Sequence, residues 1–361
     1  MRGAVVLACG MAVLAAPLRA EQTSRDRVAK YFEGWYSVCP GTQISVSPAP
    51  EMVVPGYETY KVERRCYAKN RNEASVTLVD RARDELFVGE VLFNLDRRNQ
   101  PFTPASDLPV LRATLQSTYG LPVALRVGAD TRGSLIPLVM TLRLAEGALP
   151  SLPGFVSQDG AALLVGQFHP FAVPPEQWRD AALGQSQGVR AGKGDYTVTA
   201  FIDFQCEKCR QREPQVRDFV TAHGGAMEIR FLPLVKVHNW AFAAAESAAA
   251  LAGVSPALYA RYEDAIFPRA ATMTEAAARE LAADVADAAG SREAFDSEIA
   301  SGRARGRVAR DVELALRLGL NSTPVFFYRG AFLTSDPNLA ESFIQSRLGG
   351  SAHGPEPGSP R

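Results

Sequence analysis

The chain has 361 residues, 47% of them apolar and 22% charged, which is the make-up of a globular protein and excludes a disordered or collagen-like one. Its 39 basic and 39 acidic residues cancel, so net charge gives no reason to expect nucleic acid or an anionic membrane surface as a partner. The length allows two or three domains of roughly 100–200 residues each.

Residues 1–20 read as an export signal. Met1-Arg2-Gly3 is a short basic start, residues 4–16 are apolar, and Pro17-Leu18-Arg19-Ala20 places a small residue before the charged stretch that begins at Glu21. Cleavage after Ala20 is the expectation; an uncleaved anchor and lipidation at Cys9 are the alternatives, although the apolar run is short for a bilayer. The expected location is therefore periplasmic or secreted, with a membrane anchor as the variant. Export leaves Cys39, Cys66, Cys206 and Cys209 in an oxidising compartment, where paired cysteines are usually disulfides.

From residue 21 to about 190 strand-like runs dominate, and a weak internal repeat divides the stretch into two small α+β modules, 21–105 and 106–183. The run Glu85-Leu86-Phe87-Val88-Gly89-Glu90-Val91 is echoed by Ala162-Leu163-Leu164-Val165-Gly166-Gln167-Phe168, with Gly166 standing 77 residues after Gly89. Strand-like runs at 74–79 and 136–144 precede the two copies. Val28, Tyr31, Phe32 and Trp35 share one helical face upstream of the first copy, and Leu108, Leu111, Leu115 and Tyr119 share one upstream of the second. Each module is expected to be a helix packed on an antiparallel sheet. Cys39 and Cys66 lie in the first, where a structural disulfide between them would stabilise the fold by roughly 3–4 kcal/mol. A second redox pair there is the weaker alternative, because the close spacing of a reactive dithiol is missing. Residues 184–194 carry four glycines and read as a linker.

Beyond the linker, strands and Ala-rich helices alternate. Strands are expected at 196–204, 227–235 and 324–328, and helices at 206–222, 239–251, 258–267, 275–289, 303–318 and 338–348. Thr272 with Glu275 reads as a capping box, Gly319 as a stop signal, and Pro337 as a first-turn residue. Residues 349–361 are Gly-, Pro- and Ser-rich and read as a disordered tail.

Cys206-Glu207-Lys208-Cys209 follows a core-type strand and opens a helix. A sulfur at a helix N-terminus faces unpaired N–H groups and the positive end of the dipole, which favours thiolate over thiol. Two intervening residues put the second sulfur one turn away, able to resolve a mixed disulfide by intramolecular attack. Cys206 is expected to be the exposed, attacking sulfur and Cys209 the buried, resolving one. Zinc is the main competitor, but one Cys-x-x-Cys supplies two of four ligands, and His169, His223, His238 and His353 offer no second pair at useful spacing; neither metal nor cofactor is expected. An inert disulfide is the remaining alternative. Thr323-Pro324 precedes the apolar strand Val325-Phe326-Phe327-Tyr328. Taken alone, it reads as a trans proline starting an edge strand.

The run 201–209 resembles the active-site strand and helix of the DsbA-like thioredoxin-fold family, and so do Leu232-Pro233-Leu234, His238 and Trp240-Ala241 with the Ala-rich helix that follows. Thr323-Pro324 resembles that family's cis-proline loop. The resemblance covers about residues 190–348, within which 195–348 is the expected domain, and implies an α/β thioredoxin fold with a helical insertion between the second strand and the proline loop. It also implies a cis bond that would turn the Thr323 backbone toward the sulfurs, ready to pair with an extended substrate. Asp203 matches the family pattern as an aid to proton transfer near Cys209, and His238 as a groove residue. The modules at 21–183 resemble, more loosely, the dimerisation domains of disulfide isomerases. This chain departs from the Pro-His dipeptide of many oxidising members: Glu207 and Lys208 bring opposite charges that partly cancel and are screened. A lowered thiolate pKa, less extreme than a strong oxidase's, follows, and the direction of electron flow stays open.

The resulting expectation is an exported thiol–disulfide oxidoreductase acting on protein thiols. It would be recharged by a redox partner, with a homodimer compatible with the duplicated modules. The rival is a partner-binding or chaperone-like exported module in which the redox pair is secondary.

Overall fold

The computed structural model describes residues 12–36, 41–66, 71–93, 100–333 and 337–350. The start of the signal region, Cys39 and residues 351–361 of the tail lie outside them.

The N-terminal half is built from two copies of a helix followed by four strands. The first comprises α1 (Ala12–Trp35), β1 (Thr42–Pro48), β2 (Glu58–Cys66), β3 (Arg71–Asp80) and β4 (Glu85–Phe93). The second comprises α2 (Pro104–Tyr119), β5 (Val123–Val127), β6 (Leu135–Leu142), β7 (Ser151–Ser157) and β8 (Ala162–Pro170). The two modules share one antiparallel sheet with strand order β1-β2-β3-β4-β8-β7-β6-β5. The two repeated runs read from sequence pair with each other at its centre, Gly89 opposite Gly166. Both glycines have positive φ, and a Cβ on either would meet the partner strand's backbone and the Phe87 ring. The missing side chains let β4 and β8 approach under that ring.

Alternation along the strands decides what each face buries. Val88 joins Val28, Tyr31 and Phe32 of α1 in one core, while Val165 and Leu92 join Leu111 and Leu115 of α2 in another. Both helices therefore cover the same face. On the opposite face Phe87, Leu78, Leu135 and Leu164 form a third cluster. Cys66 is buried at the end of β2 and is disulfide-bonded.

α3 (Pro175–Leu183) leads to β9 (Val189–Ala191), so the expected linker contains a strand. Its glycines mark the turns on either side, and Val189–Ala191 pairs antiparallel with Ile229–Met227. The C-terminal sheet adds β10 (Tyr196–Ile202), β11 (Gly225–Phe231), β12 (Val325–Tyr328) and β13 (Ala331–Leu333), in the order β13-β12-β10-β11-β9. β10 and β11 run parallel and are joined by α4 (Glu207–Ala222). Between β11 and β12 lie α5 (Ala241–Val254), α6 (Pro256–Ile266), α7 (Glu275–Asp287), α8 (Arg292–Ala300) and α9 (Arg303–Arg317), and α10 (Pro337–Gly350) closes the described chain. α5 is buried from Ala241 to Leu251, because its small side chains admit four helices around it.

Three local readings are corrected. The cap of α7 is Thr274, whose hydroxyl accepts from the Ala277 N–H; Thr272 instead donates to the Arg269 carbonyl. α8 has no counterpart among the expected helices. The arginine run 303–310, which by sequence reads as the solvated face of a helix, is instead paired in part: Arg305 binds buried Glu246 at 2.8 Å, and Arg303 and Arg307 both hold Glu298.

The two halves meet at Arg179, which is buried on α3. Its Nε donates to the Gly330 carbonyl at 2.6 Å, and its other nitrogens donate to the Trp35 carbonyl at 3.0 Å and the Gly34 carbonyl at 2.7 Å. Beside it His169 is fully buried, accepts or donates through Nδ1 to the Tyr31 hydroxyl at 2.6 Å and stacks on Trp178. Trp35 and Trp178, 6.0 Å apart between ring centroids, sit at the junction of the two halves. α9 packs on β7, and its Leu316 reaches the core under α2.

Candidate active site

β10 is the central strand of its sheet, and all of its residues except Thr197 are buried. It delivers Asp203 and then Cys206 to its C-terminal edge. Cys206 is the N-cap of α4, with extended backbone angles, so its sulfur faces the first N–H groups of the helix. Cys206 is half-buried and Cys209, one turn along, is fully buried; both are free thiols. Glu207 and Lys208 between them are exposed, and the Glu207 carboxylate accepts from Gln211.

The environments of the two sulfurs push their acidities apart. The Cys206 thiol is lowered to about 5, first by the hydrogen bond from Cys209, against the opposing cost of partial burial, and then by Thr323 and the N–H groups of Cys209 and Lys208. Burial pushes Cys209 well above its ordinary value, and the neighbouring Cys206 adds to the rise. At neutral pH the dithiol therefore carries one proton, held by Cys209, and one nucleophilic thiolate at Cys206.

The Thr323–Pro324 peptide bond is cis, as the resemblance implies. The Thr323 carbonyl lies 3.5 Å from Cys206 Sγ. The Thr323 hydroxyl is buried and has no partner in the dithiol, which leaves it available to donate to a thiolate.

Asp203 and His238 come together in the structure. The buried Asp203 carboxylate accepts from the Gln205 N–H at 2.7 Å, the Leu234 N–H at 2.8 Å and His238 Nδ1 at 2.8 Å. What reaches Cys209 Sγ is the Asp203 backbone N–H, at 3.4 Å. Asp203 thus ties the end of β10 to the loop after β11. Replacing Asp203 with alanine leaves two part-buried N–H groups unpaired and should lower stability by about 2 kcal/mol in denaturant titration, at the lower end of about 1–3 kcal/mol per orphaned donor. Gln205, which sequence reading overlooked, extends this frame: its carboxamide accepts from the Trp240 N–H at 3.0 Å and donates to Asn239 at 3.2 Å. The glutamine lies in the turn between strand and helix, and nothing in its local sequence marks its partners.

One turn beyond Cys209, Glu213 is buried and shares Arg217 with buried Glu263. Desolvation and then repulsion from Glu263 raise the Glu213 carboxyl to about 8. Its folded value lies above the unfolded one, so stability is fullest below pH 4.5 and declines as pH rises toward 8. Glu213→Gln should therefore raise the melting temperature more at pH 8 than at pH 5.

Among the described residues no group of three or more His, Cys, Asp or Glu side chains could hold a metal ion, and no helix is long and apolar enough to cross a membrane.

Residues 189–345 match the thioredoxin family model. The chain is 32% identical over 164 residues to the Na(+)/H(+) antiporter NhaA 3 of Salinispora tropica, which covers 44% of this chain and 23% of that protein. It spans about a quarter of the length of the curated relatives it matches. Among solved structures it is similar to Proteus mirabilis ScsC in a transitional conformation, with 17% identity and a TM-score of 0.39 over 47% of this chain and 77% of that one. It is also similar to the thiol-disulfide exchange protein alpha-DsbA2 of Wolbachia pipientis, with 15% identity and a TM-score of 0.39 over 48% and 97%. The sequence match coincides with the five-stranded sheet, the helical insertion and the Cys-x-x-Cys helix start, so residues 189–345 are similar to the thioredoxin family in both sequence and sheet order.

Proposed function

We propose that the chain is an exported thiol–disulfide oxidoreductase that exchanges disulfides with protein thiols through Cys206 and Cys209. The observation that carries this reading is the split between a half-exposed sulfur acidified to about 5 and a buried neighbour held protonated. In the oxidising direction a client thiolate attacks Cys206 Sγ of the enzyme disulfide, and Cys209 leaves and takes up a proton. A second client thiolate then attacks the client sulfur of the mixed disulfide, and Cys206 leaves as thiolate. Two electrons pass from client to enzyme, and the reverse sequence reduces a client. No cofactor enters. Thr323 and Pro324 present the backbone edge that an extended client would pair with, while Asp203 and His238 position the loops. A redox partner restores the working oxidation state, and export rests on the pattern of residues 1–20. We assign the disulfide of Cys66 to Cys39.

A Cys206 value of about 5 falls between that of thioredoxin, about 7, and that of a strong oxidase, about 3.5. A stabilised thiolate leaves readily and favours the reduced enzyme, so the potential is expected between about −270 and −120 mV. Titration in glutathione buffers with thiol trapping tests this. A reversible transition inside that window supports thiol–disulfide exchange, with donation favoured toward about −120 mV and reduction or isomerisation toward about −270 mV, whereas no reversible transition at Cys206 and Cys209 removes the proposal and leaves the partner-binding reading.

A further inference from the structure

The face of the eight-stranded sheet that carries α1 and α2 is not fully covered. Between the two helices, over β4 and β8, lies a cleft of about 570 Å³. That is the size of sites that take drug-sized ligands, about 300–1,000 Å³. Its walls include Trp35 and Val88 from the first module and Tyr119 and Gln167 around the second. Leu316 and Asn321 form the third side, contributed by the thioredoxin domain. The Gln167 Nε2 is buried and has no hydrogen-bond partner. Asn321 is two residues before Thr323, so their Cα atoms are at most about 7 Å apart, and the Thr323 carbonyl touches Cys206 Sγ. On its other side the loop after β11 also meets α2: Lys236 donates to the Thr118 carbonyl at 3.4 Å.

Building on the thiol-exchange reading, we propose that this cleft seats an extended client segment carrying an apolar or aromatic side chain close to the reacting cysteine. The wall of the cleft and the backbone edge beside the sulfurs are one continuous stretch, residues 316–324. A chain paired along that edge is thereby led from Cys206 toward the sheet. The aromatic and aliphatic walls take the side chain, and the unpaired Gln167 Nε2, with Asn321 lining the same cleft, offers the polar contacts that a peptide backbone needs. The N-terminal half would then supply sequence preference, and the thioredoxin domain the chemistry.

The test uses the full chain and two peptides, each with a single cysteine activated as its mixed disulfide with thionitrobenzoate. One has leucine and phenylalanine beside the cysteine, the other serine and glycine. The reduced enzyme attacks the peptide sulfur through Cys206 and releases thionitrobenzoate, which is read by absorbance. The apolar peptide should react at least tenfold faster, and that ratio should fall toward one in Gln167→Trp and Ser75→Trp, which fill the cleft from β8 and from β3, where Ser75 also lines it. A ratio near one in the unmodified chain, or a full ratio in both folded variants, overturns the proposal. No release from either peptide sinks the exchange reading instead. A second measurement needs no cleft substitution. On the Cys209→Ser chain, a peptide carrying benzoylphenylalanine trapped as the mixed disulfide should photocrosslink to Trp35, Gln167 or residues 316–321. Crosslinking confined to exposed Val237 would place the preference on the thioredoxin domain and overturn it. A rate raised by removing residues 351–361 would assign the cleft to the chain's own tail, with the same consequence.

Discussion

Cys206→Ser should bring exchange with any disulfide to background, whereas Cys209→Ser should keep the first attack and stall as a stable mixed disulfide. The asymmetry follows from position. Only Cys206 is accessible and acidified at the helix start, and only Cys209 is placed to attack an adjacent disulfide from within. The same geometry sets a pH profile. Alkylation of the reduced chain by iodoacetamide should be half-maximal near pH 5 and fall about tenfold per unit below it, because thiolate is the nucleophile. The sign for stability agrees. The folded value is depressed, so the reduced protein holds this contribution in full above the free thiol's pKa of about 8.5 and loses the last of it as pH falls through about 5. Thr323→Val should move the alkylation midpoint upward by about one to two units, the worth of one hydrogen bond to a charged group at about 1.5–3 kcal/mol. An unchanged midpoint would mean that the hydroxyl does not serve the thiolate.

Arg179→Ala should cost about 3 kcal/mol or more, at about 1–3 kcal/mol for each buried carbonyl left without its donor. Three carbonyls would lose their donor at once. Gly34 and Trp35 are at the C-terminal end of α1, where orphan carbonyls favour a cation, and Gly330 is the turn between β12 and β13. The loss should therefore appear at the junction of the halves. Residues 184–194 should become sensitive to protease well below the melting temperature, and thermal unfolding should separate into two steps. Arg179→Lys should recover less than half, because one ammonium does not span three carbonyls as a planar guanidinium does. Retained protease resistance in Arg179→Ala would show that α9 packed on β7 holds the halves by itself.

Burial at the same junction also keeps His169 neutral. Desolvation, and then the nearby Arg179 and Arg317 charges, depress it to about 3. Its folded value lies below the unfolded 6.5, so stability should decline as pH falls from about 6.5 toward 3, alongside the loss at Cys206.

Local pattern determined much of this protein. A buried strand, a cysteine at a helix start and a second cysteine one turn on are neighbours in sequence, and their chemistry depends on backbone geometry within that turn. The helical faces of α1 and α2 and the 77-residue echo that became the β4/β8 pair were legible because periodicity and repetition are local signals. The cis bond at Pro324 was carried by resemblance, since the dipeptide alone favours trans. Tertiary structure decided the rest. Val189–Ala191 is a strand only because β11 offers it an edge, and glycines on both sides disguise it as a linker. Thr272 with Glu275 matches the capping-box pattern, yet the helix begins at Glu275 and Thr274 is its cap. The partners of the Asp203 carboxylate, the Gln205 and Leu234 N–H groups and His238, come in part from more than 30 residues away, and no local pattern announces them. Arg179 and the cleft between α1 and α2 left no trace in sequence, for both consist of groups that come together only when the two halves dock.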